Sequence, residues 1–423
     1  MIGWFFLFFF IMLAVGVPVA FSLGATMVLL LVTQTPLPLL LVPQQMIIGA
    51  DNFALIAIPF FMFAAELMSS GGITRRIVAF VNGVIGWITG GLALVNIGAS
   101  MLMAGLSGSA VADAAMMSSM LIPAMKEKGY DPEYAAGVTA ASSTIGVIIP
   151  PSIPMIVLGF VAEISVIRLF LGGLIPGVLV GGAMMAVAYV TSKIKKYPRE
   201  PWIGIKELLV RLKATIWALF LPIIVLGGII GGVFTVTEAS TIAVVYALVV
   251  SAFIYRELTW KRLYQAMVRA SLTSAMVMMI VSTAVGVAWL LTYARVPQNL
   301  ALSLQALTTN PLVFLLLANV LLLVIGAVMD LTAALLVMGP ILMPIAIQYG
   351  LSPIHFGVVM VINLAIGLVT PPVGSCLYLT VPFAGVPVSK VIRGTTPFLI
   401  AEIAVLLLVT YVPWLITYLP SLL

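Results

Sequence analysis

The sequence has almost none of the residues that water-soluble chemistry relies on. Only 8% of its 423 residues are charged, and residues 1–50 contain no Asp, Glu, Lys or Arg; soluble domains carry about 25% charged residues. One cysteine, Cys376, excludes an intramolecular disulfide and a cysteine-based metal cluster. One histidine, His355, excludes a His-pair metal site, and its place after Ser352-Pro353 at a helix start marks it as structural. There is no P-loop for direct ATP drive, no HExxH, and no base at membrane depth for an intramembrane hydrolase. The chain is therefore read as a non-enzyme. What it has instead is apolar length. Hydrophobic residues make up 63%, enough for about nine or ten crossings of a core that needs roughly 20 apolar helical residues each. The chain is read as an all-α polytopic membrane protein whose solvent is the lipid bilayer. Its net charge of +6 is explained by loop topology rather than by nucleic acid. The run from Trp4 to Val32 lacks a basic flank and exceeds a signal-peptide core, so it is expected to stay as an anchor.

Apolar runs between polar breaks predict spans near 4–32, 51–69, 133–163, 169–190, 215–233, 236–254, 272–293, 354–386 and 395–418, with two further stretches near 93–125 and 312–347. The most polar stretch, 191–213, has basic residues interleaved with Trp202, Leu208, Leu209 and Leu212. It reads as a cytoplasmic amphipathic linker between a first half, 1–190, and a second, 214–423.

The halves are related. At an ungapped offset of 221, Gly105 falls on Gly326, Pro123 on Pro344, Gly129 on Gly350, Gly146 on Gly367 and Pro150-Pro151 on Pro371-Pro372. Chance alignment of so many Gly and Pro in one register is hard to sustain. If 93–125 and 312–347 are re-entrant hairpins, all but Arg168 and Arg295 of the 19 basic residues fall on one side, which is then the cytoplasm. The first hairpin opens from the cytoplasm and the second from outside, so the repeats are expected to be inverted, as in secondary transporters. Each hairpin arm has about 11–16 residues, too few to cross alone.

Four breaks mark where binding chemistry is expected. They are the tip Ser107-Gly108-Ser109 with Asp113, the break Gly146 to Pro150 and Ser152, and the repeat partners Gly326-Asp330-Thr332 and Gly367-Thr370-Gly374. Consecutive prolines remove backbone donors and unwind a helix. Unwound backbone at membrane depth is tolerated only in protein or at a cavity, where carbonyls can hold a cation and helix N-termini an anion. Asp113 and Asp330 are isolated carboxylates in apolar surroundings, which are costly and usually functional; oxygen ligands suit a hard cation such as Na⁺. Capping of a half-helix is the competing role for each. Ser142, Ser143, Thr144 and Asn363 precede the Pro-Pro breaks and either line a substrate path or bond within the helix bundle. Glu66, Glu163, Glu238 and Glu402 are expected near span ends.

These residues resemble the large membrane (M) subunit of TRAP transporters, the tripartite ATP-independent periplasmic family, over essentially the whole chain. The most specific pieces are GVPVAFSLG (Gly16–Gly24), GLSGSAVAD (Gly105–Asp113), KGYDPEYAAGVTAASSTIGVIIPPSIPMIVLG (Lys128–Gly159) and GLVTPPVG (Gly367–Gly374). The resemblance implies sodium-coupled uptake of an organic acid, such as a C4-dicarboxylate or sialic acid, across the bacterial inner membrane, without a cofactor. It implies a periplasmic binding protein and a small four-helix (Q) subunit, expected here as a separate chain. It also implies a fold similar to divalent-anion/sodium symporters, with an elevator domain moving against a scaffold. Carried onto this chain, one sodium site comprises Ser107, Gly108, Ser109, Asp113, Gly146, Pro150 and Ser152. The other comprises Gly326, Asp330, Thr332, Gly367, Thr370 and Gly374. Segments 71–90 and 292–311 would be arm helices. The alternatives are a stand-alone sodium/anion symporter of the same fold and a channel-forming or scaffolding subunit.

Overall fold

The computed structural model describes residues 2–423, and among the described residues it is helical with no strand. Eight helical segments are long and apolar enough to cross a membrane. They include Pro311–Val328 and Leu331–Gln348, so the expectation that each hairpin arm has about 11–16 residues and is too short to cross alone is corrected for the second pair, whose arms have 18 residues each. Polar caps start several of the eight. Thr235 and Glu238, for example, form a capping box that starts the helix Val236–Val249: Thr235 N–H donates to Glu238 Oε2 at 2.8 Å and Glu238 N–H to Thr235 Oγ1 at 3.2 Å.

Two helical pairs are joined by very short tips. Gly91–Ser107 and Ala110–Glu127 meet at Gly108-Ser109; Pro311–Val328 and Leu331–Gln348 meet at Met329-Asp330. Each pair is followed by an interrupted helix. The first runs Pro132–Ser143, then a 3₁₀ turn Thr144–Val147, a cis Pro150-Pro151 bond and Ile153–Val161. The second runs Pro353–Gly367, a cis Pro371-Pro372 bond and Ser375–Ala384. Helix starts at 110 and 331, and at 132 and 353, keep the 221-residue spacing seen in the sequence.

The two halves interleave. Ser375–Ala384 packs on both Ala110–Glu127 and Pro132–Ser143. Lys126 Nζ donates to the carbonyls of Phe383 (3.3 Å) and Ala384 (2.9 Å), the last acceptors of that helix. Val388–Tyr411 crosses Pro132–Ser143 at Gly137 and Gly394, where a side chain on either would strike backbone. On the other flank, Trp260–Tyr293 packs against Val19–Gln34, Leu41–Ala50 and Ala57–Ser70.

Several sequence expectations need correction. The single span expected at 4–32 is two helices, Ile2–Ala14 and Val19–Gln34. Gly16 takes φ +89° and Pro18 offers no N–H, so the helix ends although the segment stays apolar. The non-helical part of the linker 191–213 is short, lying between Lys195 and Gly204. Val166–Lys195 extends into it, and Gly204–Ile230 runs on without a break, placing Lys206, Arg211 and Lys213 in its first turns. Arg211 Nη1 donates to Ala79 O at 3.0 Å, tying this helix to Ile73–Ile85. The expected arm helices at 71–90 and 292–311 are shorter, Ile73–Ile85 and Val296–Leu307. The span expected from 272 begins at Trp260, so the 34-residue helix Trp260–Tyr293 is about 51 Å long and carries Arg269 within it. Glu402 is not at a span end but inside Val388–Tyr411, 1% exposed, its Oε1 2.5 Å from Thr144 Oγ1.

Candidate functional site

Both tips face one cavity of about 580 Å³. The first tip arises because Gly108 adopts φ +59°, which ends Gly91–Ser107, and Ser109 then caps the next helix, accepting from Ala112 N–H at 3.4 Å. At the second tip Asp330 is the cap, its Oδ1 accepting from Thr332 N–H at 2.9 Å. Two helix N-termini, with the first-turn N–H groups that their caps do not take, thus open beside hydroxyl and carboxylate oxygens.

Each tip is seated on an interrupted helix by main-chain contact. Gly108 O accepts from Ile153 N–H at 3.4 Å, and Ala327 O accepts from Val373 N–H at 3.0 Å. A Cβ on Gly367 would lie 2.5 Å from the Gly326 carbonyl, so this approach requires glycine. Gly146 lies against the Ser109 main chain in the same manner, with more room. Ser152 caps Ile153–Val161 and donates to Val147 O at 2.6 Å, closing the loop around the prolines. Thr370 donates to Ile366 O at 2.7 Å, and Gly374, at φ +25°, starts Ser375–Ala384.

Of the residues expected to act, Ser107, Gly108, Ser109, Asp330 and Thr332 line the cavity together. Gly146, Pro150, Ser152, Gly326, Gly367, Thr370 and Gly374 do not; they lie behind it, shaping the seats of the tips. Asp113 is fully buried in the first turn after Ser109, facing Ser100 and Ser143, and neither of its oxygens makes a hydrogen bond of full geometry. An orphaned buried carboxylate beside serine hydroxyls is a donor set that fits a hard cation. Among the described residues no group of three or more His, Cys, Asp or Glu could hold a metal.

Ser142, Ser143, Thr144 and Asn363 lie outside the cavity wall. All four are fully buried and bonded within the bundle: Ser142 to Asn96, Ser143 to Thr139 O, Thr144 to Ala141 O, and Asn363 to Asn319. His355 is also buried, Nε2 3.0 Å from Val409 O.

Two wall residues were missed as site residues by sequence reasoning. Glu66 and Arg269 pair across the cavity wall, Nε to Oε2 2.9 Å, and Arg269 Nη2 donates to Ser70 Oγ at 3.3 Å. Their signal was a charge inside each apolar helix, hidden because both stood at expected span ends.

The family profile described as "Tripartite ATP-independent periplasmic transporter, DctM component" matches residues 6–415. The chain is 38% identical to the C4-dicarboxylate TRAP transporter large permease protein DctM of Vibrio cholerae, covering 97% of this chain and 96% of that one. It is 41% identical to the isethionate TRAP transporter permease protein DctMQ of Oleidesulfovibrio alaskensis, covering 96% of this chain and 64% of that one. It is 38% identical to the sialic acid TRAP transporter large permease protein SiaM of Vibrio cholerae, covering 97% and 96%. Among solved structures, the Alcanivorax borkumensis YdaH transporter has a similar fold, with a TM-score of 0.61 at 16% identity over 87% of each chain. Eight apolar helical segments and these matches make the chain a multi-pass transport protein and not an enzyme, and the family implies a periplasmic binding protein and a small membrane subunit as partners. The chain belongs to the tripartite ATP-independent periplasmic transporter family, as its DctM component.

Proposed function

We infer that the chain is the large permease of a sodium-coupled tripartite transporter importing an organic acid across the bacterial inner membrane. Substrate is delivered by the periplasmic binding protein, and the chain works beside the small membrane subunit. The observation that carries this reading is the single cavity bounded by both helical tips, offering the Ser107, Ser109 and Thr332 hydroxyls, the Asp330 carboxylate and two helix N-termini. The N-termini suit a carboxylate of the substrate, and the oxygens suit Na⁺. Sodium would be held near each seated tip, with Ser107, Ser109, Asp113, Asp330 and Thr332 as the side-chain oxygens. The relatives' names point to organic anions: C4-dicarboxylate, isethionate, sialic acid and 2,3-diketo-L-gulonate.

The transport step proposed is an elevator. The body containing both tips and both interrupted helices moves against the helices around Trp260–Tyr293, and the 221-residue repeat with inverted orientation supplies its two matching ends. A stand-alone symporter of this fold is not favoured, because the full-length relatives are large permeases of tripartite systems.

Thermal unfolding in Na⁺ and in K⁺ at matched ionic strength tests the coupling ion, since a ligand that binds only the folded state raises its stability. The midpoint is expected to rise in Na⁺ alone and to lose most of that rise in Asp330→Ala. Equal midpoints in both salts would remove sodium coupling from this reading.

A further inference from the structure

The cavity has one side the hairpin tips do not supply. Met62, Ala65, Glu66 and Ser69 come from one face of Ala57–Ser70, and Arg269, Ala270, Thr273 and Val277 from one face of Trp260–Tyr293. Among the lining residues only Glu66, Arg269 and Asp330 are charged, so Arg269 is the one cation a bound anion meets in the cavity.

The position of this cation is informative. Ser119, on the first hairpin, lies two turns before Lys126; Arg269 lies two turns after Lys261 and Arg262; Ser69 is followed by Arg75 and Arg76. All three cavity walls therefore run from the tips toward the end of the molecule rich in basic residues, the cytoplasmic end by the charge rule. Arg269 stands on that path. Its guanidinium has five N–H donors; one is taken by Glu66 and one by Ser70. Three remain, and the Arg269 side chain is 55% exposed where that of Glu66 is 29% exposed. A structural ion pair between two helices has no need to face the cavity that holds the substrate tips. An ionisable group there is functional by default.

We propose that Arg269 is an anion subsite on the release side of the cavity, which a carboxylate or sulfonate of the substrate reaches after leaving the tips. Glu66 is the competing anion: it holds the guanidinium when substrate is absent and must yield part of it when substrate passes. The pair thus sets how tightly substrate is held at the cytoplasmic mouth. This rests on the transport function proposed above.

The test is anion binding to the detergent-purified permease with its small subunit, read as the half-saturating concentration for thermal stabilisation. The probes are succinate, isethionate, N-acetylneuraminate and 2,3-diketo-L-gulonate at fixed ionic strength. Arg269→Gln is expected to raise that concentration about tenfold, the loss of a charged hydrogen-bond donor, and Arg269→Lys, which keeps the charge but not the fork of donors, to raise it by less. Glu66→Gln is expected to lower it by roughly threefold, because the competitor's charge is gone. A pair that only joins two helices moves both neutral variants in the same direction, or lowers their midpoints without changing the half-saturating concentration; either result overturns the proposal. If Arg269→Gln does not accumulate, Glu66→Gln decides: tighter binding supports the subsite, and unchanged or weaker binding overturns it. If no anion stabilises the wild type, the subsite falls. Uptake of the same four anions by cells expressing all three components then shows whether the transport reading falls with it.

Discussion

The side-chain amide of Asn363 donates to both oxygens of Asn319, 2.7 Å to Oδ1 and 3.0 Å to the main-chain O, and Asn319 in turn donates to Thr410 Oγ1 at 3.2 Å. All three residues are buried. The chain of bonds joins an arm of the second hairpin, the second interrupted helix and Val388–Tyr411. Within a membrane, where lipid gives helices no hydrophobic reason to associate, such polar contacts hold helices in register.

Asn363→Leu is therefore expected to cost about 1–2 kcal/mol, seen as a lower thermal midpoint in detergent. Half-saturating anion concentration should stay at the wild-type value, because Asn363 does not reach the cavity. A shift in anion affinity without a loss of stability would instead make Asn363 a substrate contact.

Gly367→Ala should be worse than its size suggests. The added methyl meets the Gly326 main chain, which has no flexible end to move aside, and overpacking of this kind costs about 1–3 kcal/mol. The tip would lift from its seat, so uptake should fall along with the midpoint. Gly182→Ala, where nothing lies within 4 Å, is the matched control and should behave as wild type in both assays.

Glu402→Gln and Glu402→Ala should part company. The amide keeps an oxygen for Thr144 and fills the same space, so its midpoint should stay close to wild type. Alanine takes away one of the two partners of the Thr144 hydroxyl, which keeps Ala141 O, and leaves a void, which for large-to-small changes in a core costs about 2–5 kcal/mol. Equal midpoints for the two variants would show that the space around Glu402 collapses without penalty.

Asp131 lies outside the membrane helices, at the entry to Pro132–Ser143, where Lys195 and Tyr197 both donate to Oδ2. The hydrogen bond from Lys195, then that from Tyr197, holds its carboxyl below the ordinary range. A depressed acid stabilises the fold above its unfolded pKa and loses that effect as pH falls through the folded value. The midpoint of Asp131→Asn should therefore lie below wild type at pH 6–8, and the gap should close on acidification below pH ~4. The pair is exposed, so the gap should correspond to about 1 kcal/mol or less.

The elements whose identity rests on glycine and proline were the most legible. Gly105, Pro123, Gly146 and the two Pro-Pro pairs located both tips and both interruptions, because these residues act through the backbone and leave the same mark in any context. Residues whose role depends on a distant partner were not legible. Glu66 and Arg269 are 203 positions apart and meet only when two helices pack. Glu402 looked interfacial because apolar runs do not say how deep a charged residue sits when another helix satisfies it. The first 34 residues misled for the opposite reason: the chain turns at Gly16–Pro18 without losing hydrophobicity, and hydropathy alone does not register a turn.

The clasp between Lys126 and the end of Ser375–Ala384 has a consequence for how this chain can be taken apart. The foot of the first hairpin is held by the second half, and Pro132–Ser143 is covered by Val388–Tyr411. Neither half closes its own core. A cut between Lys196 and Gly204 severs one covalent thread but none of these contacts, so fragments made together can assemble, while either one made alone is a woven cloth missing its weft.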